Sequence, residues 1–236
     1  EDEDKWMDDP QVRRELQGKT TSRLIGLVFR GDTRAALKEI ATSTEFSLLD
    51  KQIAKRLLES KSLPRIEIVP AAAIKDGDGQ YVSLTDTAQI AEGQVDSHTV
   101  LHEITHGFLH NLIRGFEAGQ IQNKALTDLK TLYDRLLAEN PNLATDDATK
   151  YGMSSLTEFS SEMMSNPEFQ LAMSRIPYER VNAFTAFAQA VLRLLGIAPT
   201  EKASALAAGL IYNERAMATG RRSEEHTSEL QSLAYP

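Results

Sequence analysis

Apolar residues recur along this chain with two different periods. Within residues 11–60 the spacing is helical. The segments 34–42 and 45–58 set apolar positions on one face, with Phe46, Leu49, Ile53 and Leu57 in the second. Ser62-Leu63-Pro64 breaks that run. The pattern then alternates: Ile66-Glu67-Ile68 leads through Val69 to a stop at Pro70. Asp76-Gly77-Asp78-Gly79 is a turn signal before Tyr81-Val82-Ser83-Leu84, and Thr87–Ala91 reads as a third short strand. The turn has the acid–glycine alternation of a calcium loop but lacks the ligands that follow in one, so it reads as a plain turn. Helical spacing resumes over 98–114, where Val100, Ile104, Phe108 and Leu112 form a stripe widened by Leu101, Leu109 and Ile113. Asp96 or Ser97 is placed to cap this helix. Further helices are predicted over 118–139, 155–165, 179–195 and 200–218. The pattern implies an α+β fold, mostly helical, with a small sheet of about three strands packed on the helix of 98–114.

That helix carries His102-Glu103-Ile104-Thr105-His106. Helix residues four apart share a face, so both imidazoles can reach one metal ion, and Glu103 sits where its carboxylate can act on a water there. His98 and His110 extend the same spacing, but only the 102/106 pair has an acid after its first histidine. Three histidines over two turns span about 12 Å of axis, too far for all to meet ligand distances of about 2 Å. His98 therefore reads as a helix-start residue and His110 as structural or solvent-facing. Gly107 reads as a site of close packing against a neighbouring helix. A catalytic zinc site needs a third protein ligand. Thr157-Glu158-Phe159-Ser160-Ser161-Glu162 offers two carboxylates on one helical side, one to ligate and one to support a ligating histidine.

Composition narrows the chemistry. The chain has 236 residues, 41% hydrophobic, enough to bury a core. Its net charge of −8 gives no reason to expect nucleic acid or an anionic membrane as partner. No apolar run approaches the roughly 20 residues of a membrane span, and no signal-peptide pattern opens the sequence. Cysteine is absent, which removes disulfides, thiolate zinc sites and cysteine nucleophiles together, and with them the peptide deformylases. The sequence starts at Glu1 and reads as a fragment with an acidic tail over 1–10. Residues 222–232 match the conceptual translation of a sequencing-adapter oligonucleotide, so 222–236, with His226, are set aside as a non-native tail. The expected division is a helical segment or lobe over 1–60, then a metallopeptidase domain over 61–221.

Leu101–Gly107 taken with Glu158-Phe159-Ser160-Ser161-Glu162 resembles the gluzincin metallopeptidases, in particular the catalytic domain of anthrax lethal factor and its relatives. Residues 151–170 also resemble metallopeptidase modules of phage polyvalent proteins. The resemblance covers about 80–172. It implies a zincin-like fold and a zinc-dependent endopeptidase. Zn2+ would be bound by His102, His106 and Glu158, with Glu103 as general base and Glu162 as support to a ligating histidine. Tyr151, seven residues before Glu158, would donate to the oxyanion. The implied partner is a peptide or protein substrate, held as an added strand against Thr87–Ala91. The host cytoplasm is the implied setting for a phage-encoded module. Two other readings stand beside this one: a metal-binding but non-proteolytic interaction module of a phage polyvalent protein, and a zinc hydrolase of non-peptide bonds.

Overall fold

Short polar residues set where the helices begin. Thr21, Asp32, Ser47, Asp96, Asn123, Ser155, Asn166 and Asn182 each accept a hydrogen bond from a backbone N–H of the turn they precede. The computed structural model describes residues 18–74 and 77–211. The acidic tail, Trp6 and the segment 222–236 lie outside these residues, as does the predicted helix beyond Ile211. The elements are α1 (Ser22–Phe29), α2 (Thr33–Thr42), α3 (Leu48–Leu58), β1 (Arg65–Val69), β2 (Gly79–Val82), β3 (Thr87–Ala91) and α4 (Ser97–Glu117). They continue with α5 (Lys124–Glu139), α6 (Leu156–Ser165), α7 (Pro167–Ser174), β4 (Pro177–Tyr178), β5 (Val181–Asn182), α8 (Ala183–Leu194) and α9 (Glu201–Ile211). The class is α+β, mostly helical.

The three-stranded sheet has the order β1-β3-β2, with β1 parallel and β2 antiparallel to β3. β3 is therefore the central strand, paired along both edges, while β1 and β2 are the edge strands. This corrects the expectation that Thr87–Ala91 binds a peptide, because its backbone groups are already spent. One face of the sheet is polar: Gln80 donates to Gln89 at 2.7 Å and Gln89 to Glu67 at 2.7 Å, a ladder across all three strands. Ile66, Ala88 and Ile90 face the core.

A single hydrophobic cluster takes in α1–α3, the sheet and all the later helices. The segment before residue 60 thus packs into the same core as the rest. Asp50 marks the join. It is buried in the first turn of α3, and its Oδ2 accepts from Ser97 Oγ at 2.9 Å at the start of α4. Burial raises the Asp50 pKa. In the helical half, fully buried Phe159 meets the rings of Tyr133, Phe169 and Phe187 at 5.5–6.0 Å between centroids. These rings join α5, α6, α7 and α8.

Two features were missing from the sequence pattern. Asn166-Pro167 ends α6 and starts α7, with Asn166 serving as the C-cap of one and the N-cap of the other. The stretch predicted as helix from 179 opens instead with the β4–β5 hairpin, which turns at Glu179 with φ 55°.

Phe159→Ala is expected to lower the unfolding free energy by about 3–5 kcal/mol, and Phe159→Leu by clearly less. Urea denaturation measures both. A loss under ~1 kcal/mol for the alanine variant would show that this aromatic cluster does not hold the helical half together.

Candidate metal centre

α4 runs beneath the edge strand β2, and the two repeats match. Four helix residues rise about 6 Å and two strand residues about 6.6 Å. Gly79 therefore lies over Glu103 and Tyr81 over Gly107. A Cβ at Gly79 would sit 2.8 Å from Glu103 Cγ, and a Cβ at Gly107 would meet the Tyr81 ring at 2.6 Å and Pro64 at 2.8 Å. Gly107 thus admits a strand and a loop, which corrects the expected helix contact.

His102, Glu103 and His106 are 9%, 5% and 6% exposed. His102 Nδ1 lies 3.0 Å from the Leu210 carbonyl on α9. A carbonyl only accepts, so Nδ1 carries the hydrogen and Nε2 keeps its lone pair. The Met164 carbonyl approaches the same ring. His106 Nε2 is buried with no hydrogen-bond partner, as is Glu103 Oε2. Burial lowers the pKa of His102, and burial with the neighbouring imidazoles lowers that of His106 to about 3. Both rings are neutral near pH 7. Burial pushes Glu103 up to about 8, so its carboxyl holds a proton there. His102 Nε2 and Glu103 Oε1, 3.9 Å apart, are consequently not an ion pair.

Tyr81 lies between two histidines, with ring centroids 5.2 Å from His106 and 5.5 Å from His110. Its hydroxyl donates to Asp86 Oδ1 at 2.8 Å, which also accepts from Asn111 Nδ2 at 3.0 Å. Burial and Asp86 both raise the Tyr81 pKa. His110 is half-buried with an unpartnered Nδ1, and His98 stacks on His102 at 6.5 Å. Tyr81, Asp86 and Asn111 were not picked out from sequence. The signal for Tyr81 was Gly107, a helix position where a side chain is missing because something large lies on it.

The downstream carboxylates sit elsewhere. Glu158 is in the first turn of α6, where its N–H donates to Ser155 Oγ and its carboxylate accepts from the Tyr151 hydroxyl. The charge of Glu158 is felt at His110. Tyr151 is 60% exposed, and its pKa is raised first by that hydrogen bond. Glu162 Oε2 accepts from Asn166 Nδ2 at 2.6 Å, and burial raises its pKa. The acceptor on His102 is the Leu210 carbonyl, in the place expected for Glu162. Among the described residues no group of three or more His, Asp or Glu side chains stands together so as to hold a metal ion. Two neutral imidazoles with a buried orphan nitrogen suit zinc, and Glu158 stands apart with Tyr151.

Compared with protein-family models, curated proteins and solved structures, the chain matches none.

The buried acid sets a pH dependence. Because Glu103 titrates at about 8 when folded and at 4.5 in its ordinary state, its contribution to stability is full below about 4.5 and is lost as pH rises to about 8. The neutral imidazoles act in the opposite sense, with stability lost as pH falls below their ordinary 6.5. Between pH 7 and 8 the unfolding free energy of the metal-free protein should fall by about 0.7 kcal/mol per pH unit, less than one full proton's worth because Glu103 is partly ionised near 8 and the unfolded imidazoles still hold some protons near 7. Denaturant titrations in chelator would measure this. Glu103→Gln should remove that slope, and an unchanged slope in the variant would assign it to another group.

Proposed function

We propose that this chain is a zinc-dependent endopeptidase of the gluzincin type with a zincin-like fold. The observation that carries the reading is the pairing of two neutral, buried imidazoles one turn apart, His106 with an orphan Nε2, beside an acid held at the strand edge. His102, His106 and Glu158 would hold the ion. Zinc, when bound, polarises the scissile carbonyl and acidifies a water.

The chain's own groups do the rest. Glu103 accepts a proton at its carboxylate and returns it to the leaving amine, and its raised proton affinity suits that relay near neutral pH. A cation at the imidazoles favours its ionised form. Apolar packing around α4 keeps bulk water from these groups. Tyr151, on an exposed loop, supplies a hydroxyl to the developing oxyanion. Glu158 answers to two demands, since it also accepts the Tyr151 hydroxyl. The free edge of β2, beside Glu103, is the strand against which an extended peptide pairs. Glu162 supports the site indirectly, through Asn166 and the α6–α7 junction.

The second reading is a metal-binding but non-proteolytic module, favoured by the separation of Glu158 from the imidazoles. One experiment decides between the two. Purified protein supplied with zinc should hold about one ion per chain, lost in Glu158→Ala, and should cleave casein in a chelator-sensitive way. Glu103→Gln should keep the zinc and lose cleavage by about 10²–10⁴-fold. Zinc without cleavage in the wild type would favour the non-proteolytic module. No zinc in the wild type would return His102 and His106 to the core.

A further inference from the structure

Gln170, on α7, is 0% exposed. Its amide nitrogen has two hydrogens, and both go to carbonyls: Met163 O at 2.9 Å on α6 and Ile211 O at 3.1 Å on α9. Two carbonyl partners also fix which end of the amide is nitrogen. The residues next to those it holds are Met164 and Leu210, whose carbonyls meet the His102 ring. Gln170 thus ties two helices together at the point where they face the first histidine of the motif. Ile53, Met164, Leu195 and Leu210 border a cavity beside His102 of about 10 Å³. That is marginal for one water, so solvent is a poor substitute for the Leu210 carbonyl.

We propose that Gln170 is a positioning residue for His102: by gripping the Met163 and Ile211 carbonyls it holds the Leu210 carbonyl on Nδ1, and so keeps Nε2 free to accept a metal. The tautomer half stands on geometry alone, while the metal half rests on the zinc reading above. The hydrogen bond fixes the ring's orientation as well as its tautomer, and such supports to a ligating histidine are worth about 10–100-fold in metal affinity.

The test uses the full chain with ¹⁵N-labelled histidine, free of metal, at pH 7. Long-range ¹H–¹⁵N correlations report which ring nitrogen carries the hydrogen. Wild type should show His102 protonated on Nδ1. Gln170→Met, similar in shape but without a donor, should show a mixture of tautomers and a zinc Kd raised about 10-fold. Tyr133→Phe loses a buried hydrogen bond to the Met153 carbonyl away from His102 and should leave the tautomer unchanged, which separates positioning from general destabilisation. Should Gln170→Met not fold, Gln170→Leu is read instead, since it too has no donor for either carbonyl. An unmixed Nδ1–H form in the variant, or a hydrogen on Nε2 in wild type, overturns the proposal. A tautomer shift in a protein that binds no zinc would uphold the positioning role and reject the zinc reading.

Discussion

Burying His102, Glu103 and His106 together on one helix face is the constraint to which the surrounding structure answers. None of the three is paired with an opposite charge, so the low-dielectric surroundings drive each toward its neutral form. A buried imidazole nitrogen and a buried carboxyl oxygen remain without partners. A fold keeps such groups only if packing elsewhere holds them in place. Here the sheet closes over α4 through Gly79 and Tyr81, while α6 and α9 close on the other side through carbonyls on His102. Asp50 and Ser97 fix where α4 starts.

How much was legible in the sequence depended on how local the cause was. The three strands, the cap at Asp96 or Ser97, and α4 with its apolar stripe all follow from periodicity and short polar residues, which act within a few positions. Strand order does not. Ile66 and Ile68 on β1 are at least as apolar as their partners Ala88 and Ile90 on β3, so apolarity does not single out the central strand. Only pairing to both β1 and β2 decides that β3 is central. The hairpin at Pro177–Asn182 was hidden because Tyr178 and Val181 fit the apolar spacing of the helix that follows. Gly107 signalled a close approach, but a missing side chain says nothing of whether a helix or a strand arrives there.

The site was legible to the same extent. His102, Glu103 and His106 belong to one helix, so their proximity is a property of local geometry. Glu158 and Tyr151 depend on how α6 is placed along α4, which no spacing in the sequence encodes. In the folded chain His102 meets the Met164 carbonyl, whereas the charge of Glu158 is felt at His110, two turns further along α4. The same offset explains why Glu162 reaches Asn166 while a backbone carbonyl serves His102.

This arrangement gives the carboxylates different tasks through their surroundings. Glu103 has no hydrogen-bond donor and no cation beside it, so desolvation alone sets its proton affinity and leaves it sensitive to any positive charge that arrives. Glu158 sits in the first turn of α6, with its backbone N–H on Ser155 Oγ and the Tyr151 hydroxyl on its carboxylate. A cation entering between the imidazoles would meet a carboxyl ready to lose its proton on one side and a charged carboxylate on the neighbouring helix. The proposed zinc ion would thus meet carboxyl groups of two kinds, although the side chains of α4 and α6 are not gathered around one point.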